Sequence, residues 1–204
     1  MAFDTYSNLK TAIANFLARD DLTTQIPDFI SLAEARMSRE LDTRSQEKRA
    51  NANTVSGTEF ITLPTDLRQL RLVRLNTSPI TVLQYKSPDV YYSTYNDAST
   101  GKPVAYTIIG TELGMRPIPD AIYQTDLVYS EDLSALTDSN TSNTILSRHP
   151  DAYLYGSLAA ANQFLMDEAR ANQYDALFSR AMEEIKTDTQ NSKYASGSLA
   201  MSSA

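Results

Sequence analysis

The stretch LKTAIANFLARDDLTTQIPDFISLAEARMSREL, Leu9–Leu41, decides how this chain begins to fold. Read from Thr5, its apolar residues Tyr6, Leu9, Ile13, Phe16 and Leu17 fall on one face of a helix, with Asp4 or Thr5 placed to cap it. After the Asp20-Asp21 break, Ile26, Phe29, Ile30, Ala33, Met37 and Leu41 repeat the spacing. Thr24 is the cap candidate there, and Pro27 stands where a first helical turn tolerates proline. Two amphipathic helices joined by so short a connection are antiparallel neighbours.

The same signature returns at the other end. Leu154, Leu158, Ala161 and Leu165 mark a third helix beginning at Pro150, and Tyr174, Leu177, Phe178, Ala181 and Ile185 a fourth, with Asp167 near the turn between them. Each stripe has to be buried, and the nearest partners for four such helices are each other. The expected fold class is therefore α+β: an antiparallel four-helix bundle from N- and C-terminal helical hairpins, with an inserted antiparallel β-rich region and an extended C-terminal tail.

Between the hairpins the composition shifts. KRANANTVSGTEFITLP, Lys48–Pro64, is rich in Thr, Asn and Val, and Thr58 to Leu63 alternates as a half-buried strand does. Leu70, Leu72, Val73 and Leu75 predict a strand interleaved with Arg68, Arg71 and Arg74, and Ile80 to Tyr85 a hairpin partner after the Asn76 to Pro79 turn. Ser87-Pro88-Asp89 opens a short helix carrying Tyr91, Tyr92 and Tyr95. Strands at Ala105 to Ile109, Glu112 to Arg116 and Ile122 to Tyr129 are expected as a meander, the first two joined by Gly110-Thr111. LTDSNTSNT, 136–144, is a polar loop leading back to helix. The expected divisions are 1–47, the N-terminal hairpin; 48–147, the β-rich insertion; 148–189, the C-terminal hairpin; and 190–204, a flexible tail too small and polar to offset its ordering entropy.

Composition removes several classes of chemistry. The chain has 204 residues and no cysteine, which excludes disulfides, thiolate nucleophiles and Cys-based zinc sites. One histidine and no Asp-rich calcium loop leave no evident metal site, and no cofactor is expected. A formal net charge of −7 argues against a footprint for gripping phosphate backbones. No apolar run approaches a membrane span, and MAFDTYSNLK lacks the basic-then-apolar order of a signal peptide, so a soluble chain is expected. Tyrosine is abundant, at 12, which favours interfaces over acid–base catalysis.

The candidate catalytic groups have simpler readings. His149 lies between Arg148 and Pro150 with Ser147 and Asp151 nearby, yet sequence neighbours do not make triad geometry and no G-x-S-x-G elbow exists. A residue at a helix entrance explains it. The carboxylate pairs Asp20/Asp21, Glu131/Asp132, Asp167/Glu168 and Glu183/Glu184 fit helix or strand ends and a solvated helix face better than a glycosidase pair. Gly101-Lys102-Pro103 lacks the rest of a phosphate loop and reads as a turn, while Arg68, Arg71 and Arg74 read as a solvated or partner-facing strand edge.

Four segments in order, Leu9–Leu41, FITLPTDLRQLRLVRLN at 60–76, GKPVAYTIIGTELGMRPIPD at 101–120 and LSRHPDAYLYGSLAAA at 146–161, resemble the head-to-tail adaptor family of tailed phages, the tail tubular protein A type included. The resemblance covers roughly 5 to 195, with Arg19–Leu41 and Arg148–Ala161 its most specific parts. It implies a structural protein without catalytic residues, forming a homo-oligomeric ring of about twelve copies between portal protein and tail nozzle or tail tube protein. It also implies a place at the head-tail junction of the virion, assembly in the host cytoplasm, double-stranded genomic DNA passing through without specific binding, and no membrane. C-terminal segments in such families often reach the portal; here Tyr194, Leu199 and Met201 are the tail's large apolar groups and are nominated as portal anchors. Two alternatives stand beside this reading: a virion-associated peptidoglycan hydrolase and a capsid decoration module.

Overall fold

Thr5 starts the first helix as its spacing predicts. Its hydroxyl accepts the Asn8 N–H at 3.3 Å, and α1 runs over Tyr6–Leu17 until Ala18 turns left-handed at φ 51°. These details come from a computed structural model that describes residues 3–19 and 21–194. The second helix, α2, spans Ile26–Glu40 with Pro27 in its first turn. Thr24 does not cap it; Gln25 holds the cap position without a side-chain bond, and the Thr24 hydroxyl donates to Gln25 Oε1 at 2.7 Å instead.

The chain divides into two units, Met1–Ser45 with Leu133–Ala204, and Gln46–Asp132. In the helical unit, α1 and α2 are joined by α4 (Thr144–Arg148), α5 (Pro150–Phe164) and α6 (Glu168–Tyr194), while α3 (Pro88–Thr94) belongs to the β unit. α5 is the hub, because α1, α2, α4 and α6 all pack on it. Leu9, Ile13, Ile30, Met37, Tyr153, Leu158 and Phe178 are fully buried in the resulting core, each large aliphatic or aromatic side chain contributing about 1.5–3 kcal/mol. Gly156 makes the closeness possible: a Cβ there would lie 2.9 Å from both Ala33 Cβ and the Phe178 ring.

Residues 133–147, grouped with the β region on sequence, join the helical core. Leu136, Ile145 and Leu146 are buried in it, and the 144–148 segment is already helix before Pro150. Asn143 supplies the missing signal, since its side chain accepts the Leu146 N–H at 2.9 Å and caps α4. At the far end, α6 continues to Tyr194, past residue 189 where the C-terminal hairpin is expected to end. Among the described residues no helix is long and apolar enough to cross a membrane.

The β unit carries β1 (Glu47–Asn53), β2 (Phe60–Thr62), β3 (Leu67–Leu75), β4 (Thr81–Val82), β5 (Gln84–Tyr85), β6 (Thr100–Gly101), β7 (Ala105–Ile109), β8 (Glu112–Arg116), β9 (Ile118–Pro119) and β10 (Gln124–Glu131). They form sheets in the orders β1-β10-β3-β4 and β2-β8-β7-β5, with β6 beside β9. The β7–β8 hairpin forms on Gly110, whose φ of 60° meets the positive φ that two-residue hairpin turns require. The expected meander stops there: β10 leaves β8 and inserts antiparallel between β1 and β3. Both larger sheets turn Val73, Leu75, Leu113, Met115, Leu127 and Tyr129 into one core. β1 escapes sequence reading because EKRANAN has no apolar alternation, only alanines at 50 and 52 packed inward.

Candidate functional site

Sequence reading puts function in the tail, and of its three residues the structure describes only Tyr194, the last residue of α6. Leu199 and Met201 lie outside the described residues. The groups weighed for catalysis are dispersed. His149 ends α4 and enters α5, its backbone N–H bonded to Ile145 O at 2.7 Å, and it borders a 60 Å³ cleft shared with Thr43, Arg148, Ile185 and Asp188. Asp167 Oδ1 accepts the Arg170 N–H at 3.1 Å at the start of α6, and Glu131 pairs with Lys48. Glu183 and Glu184 pair with Lys186 and Arg180 along α6. Among the described residues no group of three or more His, Cys, Asp or Glu side chains is placed to hold a metal ion.

What the fold does build is a set of organised surfaces and buried polar ties. In the helical unit, Glu34 accepts the Leu136 N–H at 2.8 Å and the Tyr153 hydroxyl at 3.1 Å. Asn143 Nδ2 donates to Tyr153 Oη at 2.6 Å and to Ser134 O at 2.9 Å, so one carboxylate and one amide fasten residues 134–143 to α2 and α5. Burial raises the Glu34 carboxyl above its ordinary range despite these hydrogen bonds, and burial likewise pushes the Tyr153 hydroxyl up. A groove of 660 Å³ runs beside this core, floored by Ala33, Gly156, Ala159 and Ala160 and crossed by the Arg36–Asp175 ion pair at 2.5 Å.

In the β unit, Tyr91 Oη donates to Glu59 Oε1 at 3.0 Å and Arg116 Nη2 to Glu59 Oε2 at 2.8 Å, which ties α3 to the sheet that contains β8. Burial, with the Glu59 hydrogen bond, pushes the Tyr91 hydroxyl upward. The second β-unit cluster lies on the β1-β10-β3-β4 sheet. Asp126, 1 % exposed, accepts from Arg49 Nη2 at 2.7 Å and Arg74 Nε at 3.0 Å, and with its amide turned Asn51 donates to the other carboxylate oxygen at 2.7 Å. Burial alone would raise this carboxyl; the hydrogen bonds from Arg74 and Arg49 outweigh it and hold the group below the usual carboxylate range. Arg71 adds a bond from Nε to Ser130 Oγ at 3.2 Å.

Of the arginines singled out in sequence, Arg74 is thus brought together with Arg49 and Asp126, which sequence reading missed, while Arg71 reaches Ser130. The cluster's one signal was an acid directly before the apolar run Leu127-Val128-Tyr129 of a strand, QTDLVYS. The whole arrangement is one of rigid surfaces fixed by buried polar ties.

The model of the SU10 adaptor protein family matches residues 4–202. The chain belongs to that family. The match extends through both units and confirms the resemblance carried by the four ordered segments: this is a phage head-to-tail adaptor. Membership brings a structural adaptor role and a place at the head-tail junction of the virion. No curated protein matches the chain.

Proposed function

We propose that this adaptor assembles into a ring of about twelve copies beneath the portal, joins the portal protein to the tail nozzle or tail tube, and lets genomic DNA pass through its channel. The observation that carries this reading is the family match over 4–202, which leaves neither unit and almost none of the tail outside it. A net charge of −7 per copy fits a channel that releases DNA, because tight binding needs phosphates to be neutralised. In this reading α1, α2, α5 and α6 act as one antiparallel four-helix bundle, and Tyr194, Leu199 and Met201 engage the portal.

The test is to add purified portal rings to the purified chain and image the mixture by negative stain. Capped portal rings are the expected product, with the chain alone remaining monomeric or weakly associated. Absence of portal binding under all conditions overturns the reading. Binding to capsid shells that lack portal, at the level seen with portal-bearing shells, would place the chain with the decoration modules instead.

A further inference from the structure

β1 forms one edge of the β1-β10-β3-β4 sheet, and the direction of its backbone groups follows from two bonds at the sheet's end. Thr54 N–H donates to Tyr123 O at 3.0 Å, and Asn76 N–H to Gln124 O at 2.8 Å. Antiparallel bonding alternates by two residues, so Lys48, Ala50 and Ala52 bond to β10, while Arg49, Asn51 and Asn53 turn their N–H and C=O groups outward. Among the described residues no main-chain bond from outside the sheet reaches these three, and all three are exposed. No proline and no register shift interrupts β1 along β10. The charges that guard such an edge, Glu47, Lys48 and Arg49, stand at its start, and the Arg49 guanidinium is turned onto Asp126. Ala50 to Asn53 carry no charge.

The chemistry of this edge selects its occupant. Donors and acceptors alternating along one line are met in full by another extended backbone. Ala50 and Ala52 then select its side chains. Both pack against the β core yet stay partly exposed, so at this edge the core ends in two methyl groups. Residues opposite them across a new ladder face the core side, where large apolar groups have area to bury. On the outer face, beside Arg49 and Asn51, small side chains leave the bonds to Asp126 undisturbed.

We infer that this edge takes residues 198–202 of a second copy of the chain as a fifth strand. Outside the described residues the chain has positions 1–2, 20 and 195–204, and of these the last stretch alone is long enough for a strand. It reads ASGSLAMSSA, with Leu199 and Met201 two apart and the small residues Ser198, Ala200 and Ser202 around them. With Ala200 set at Asn51, Leu199 and Met201 fall beside Ala50 and Ala52 whichever way the strand runs, and the three small residues fall on the outer face. The inference rests on the ring reading above, in which each copy has a neighbour. α6 carries the chain beyond Ile185, its last core residue, to Tyr194, and the ten residues that follow reach up to about 34 Å further. Segment and edge are different parts of one chain, so the contact is heterologous, the kind that generates rings.

The test leaves out portal, which claims the same two side chains. The chain has no cysteine, so full-length Asn51→Cys and Ala200→Cys variants are mixed and oxidised, with a mass tag on one of them. Opposed residues of neighbouring strands lie within disulfide reach, and a tagged heterodimer is the expected product. Asn53→Pro, added to the Asn51→Cys chain, deletes one outward N–H and keeps every β1–β10 bond; it is expected to lower the yield about tenfold. Leu199→Asp, added to the Ala200→Cys chain, is expected to do the same. It lies outside every described element and stays informative if the proline disturbs β1. An equal yield from Ser93→Cys, an exposed position on α3, in place of Asn51→Cys overturns the inference. A chain carrying both cysteines that closes on itself in dilute solution overturns it too, because the strand is then the chain's own. Absence of the heterodimer overturns this inference and leaves the portal-capping experiment untouched. Capping that fails while the heterodimer forms tells against the portal reading and supports the strand.

Discussion

Tyr153 Oη lies 3.1 Å from Glu34 Oε1, joining the hub helix α5 to α2 through the same carboxylate that receives the Leu136 N–H. Removing the hydroxyl leaves Asn143 Nδ2 short of one acceptor and Glu34 short of one donor. Tyr153→Phe is therefore expected to cost about 1–3 kcal/mol, read as a lower urea midpoint with unchanged slope. A midpoint equal to wild type would mean that the tie contributes nothing.

Glu34 itself sets a pH dependence whose sign follows from its raised pKa. The unfolded chain loses this proton from about pH 4.3 upward, before the folded chain does, so stability falls as pH rises until the folded carboxyl has also ionised. Glu34→Gln has no proton to lose and keeps an acceptor for Leu136 and Tyr153. Its stability relative to wild type should grow as pH rises above about 4.3, measured by urea unfolding at each pH; a constant difference contradicts the assignment.

Asp126 has the opposite sign, since its carboxyl is held low in the folded chain. The stabilisation from Arg49 and Arg74 is complete above the unfolded value of about 3.9 and disappears as pH falls through the lower folded value. Asp126→Asn should be less stable than wild type at neutral pH, and the gap should close in acid. Thermal melts followed by circular dichroism across that range would show it.

Gly156→Ala places a methyl 2.9 Å from Ala33 Cβ, an atom held directly on the α2 backbone. Alanine gains about 1 kcal/mol of helix propensity over glycine, and overpacking of this kind costs about 1–3 kcal/mol. The crowding also involves the Phe178 ring, so a net loss is expected. Adding Ala33→Gly should recover part of it; no recovery would locate the strain at Phe178 alone.

Truncation after Tyr194 removes Leu199 and Met201 and leaves every described element intact. The truncated chain is expected to melt as wild type does and to bind portal more weakly, in a pull-down with portal rings. Undiminished binding removes the tail from the portal contact. The cut belongs after 194, because one at 190 would shorten α6 itself.

The helices were legible because each carries one apolar stripe, and Leu9, Ile13, Phe29, Ile30, Phe178 and Ile185 all turn out buried. α4 was not, since its signal is Asn143 folding back on Leu146 within a run of Ser, Thr and Asn that reads as loop. The order of strands was hidden for a topological reason: local pairing predicts that β10 follows β8, whereas β10 pairs with β1 and β3, its partners far back along the chain. The Asp126 cluster shares that cause, as Arg49 and Asp126 stand 77 residues apart. Nothing in a one-dimensional pattern brings them together.

The length of α6 has a mechanical consequence. Its last core residue is Ile185, yet the helix continues to Tyr194, a projection of about 13 Å at 1.5 Å per residue. The direction in which the following chain departs is thus a matter of helical phase. Each residue inserted after Ile185 swings that direction by about 100° and moves it outward by about 1.5 Å, while four or seven residues nearly restore the azimuth and change only the reach. The point at which α6 ends, and the azimuth at which it ends there, are written in a residue count.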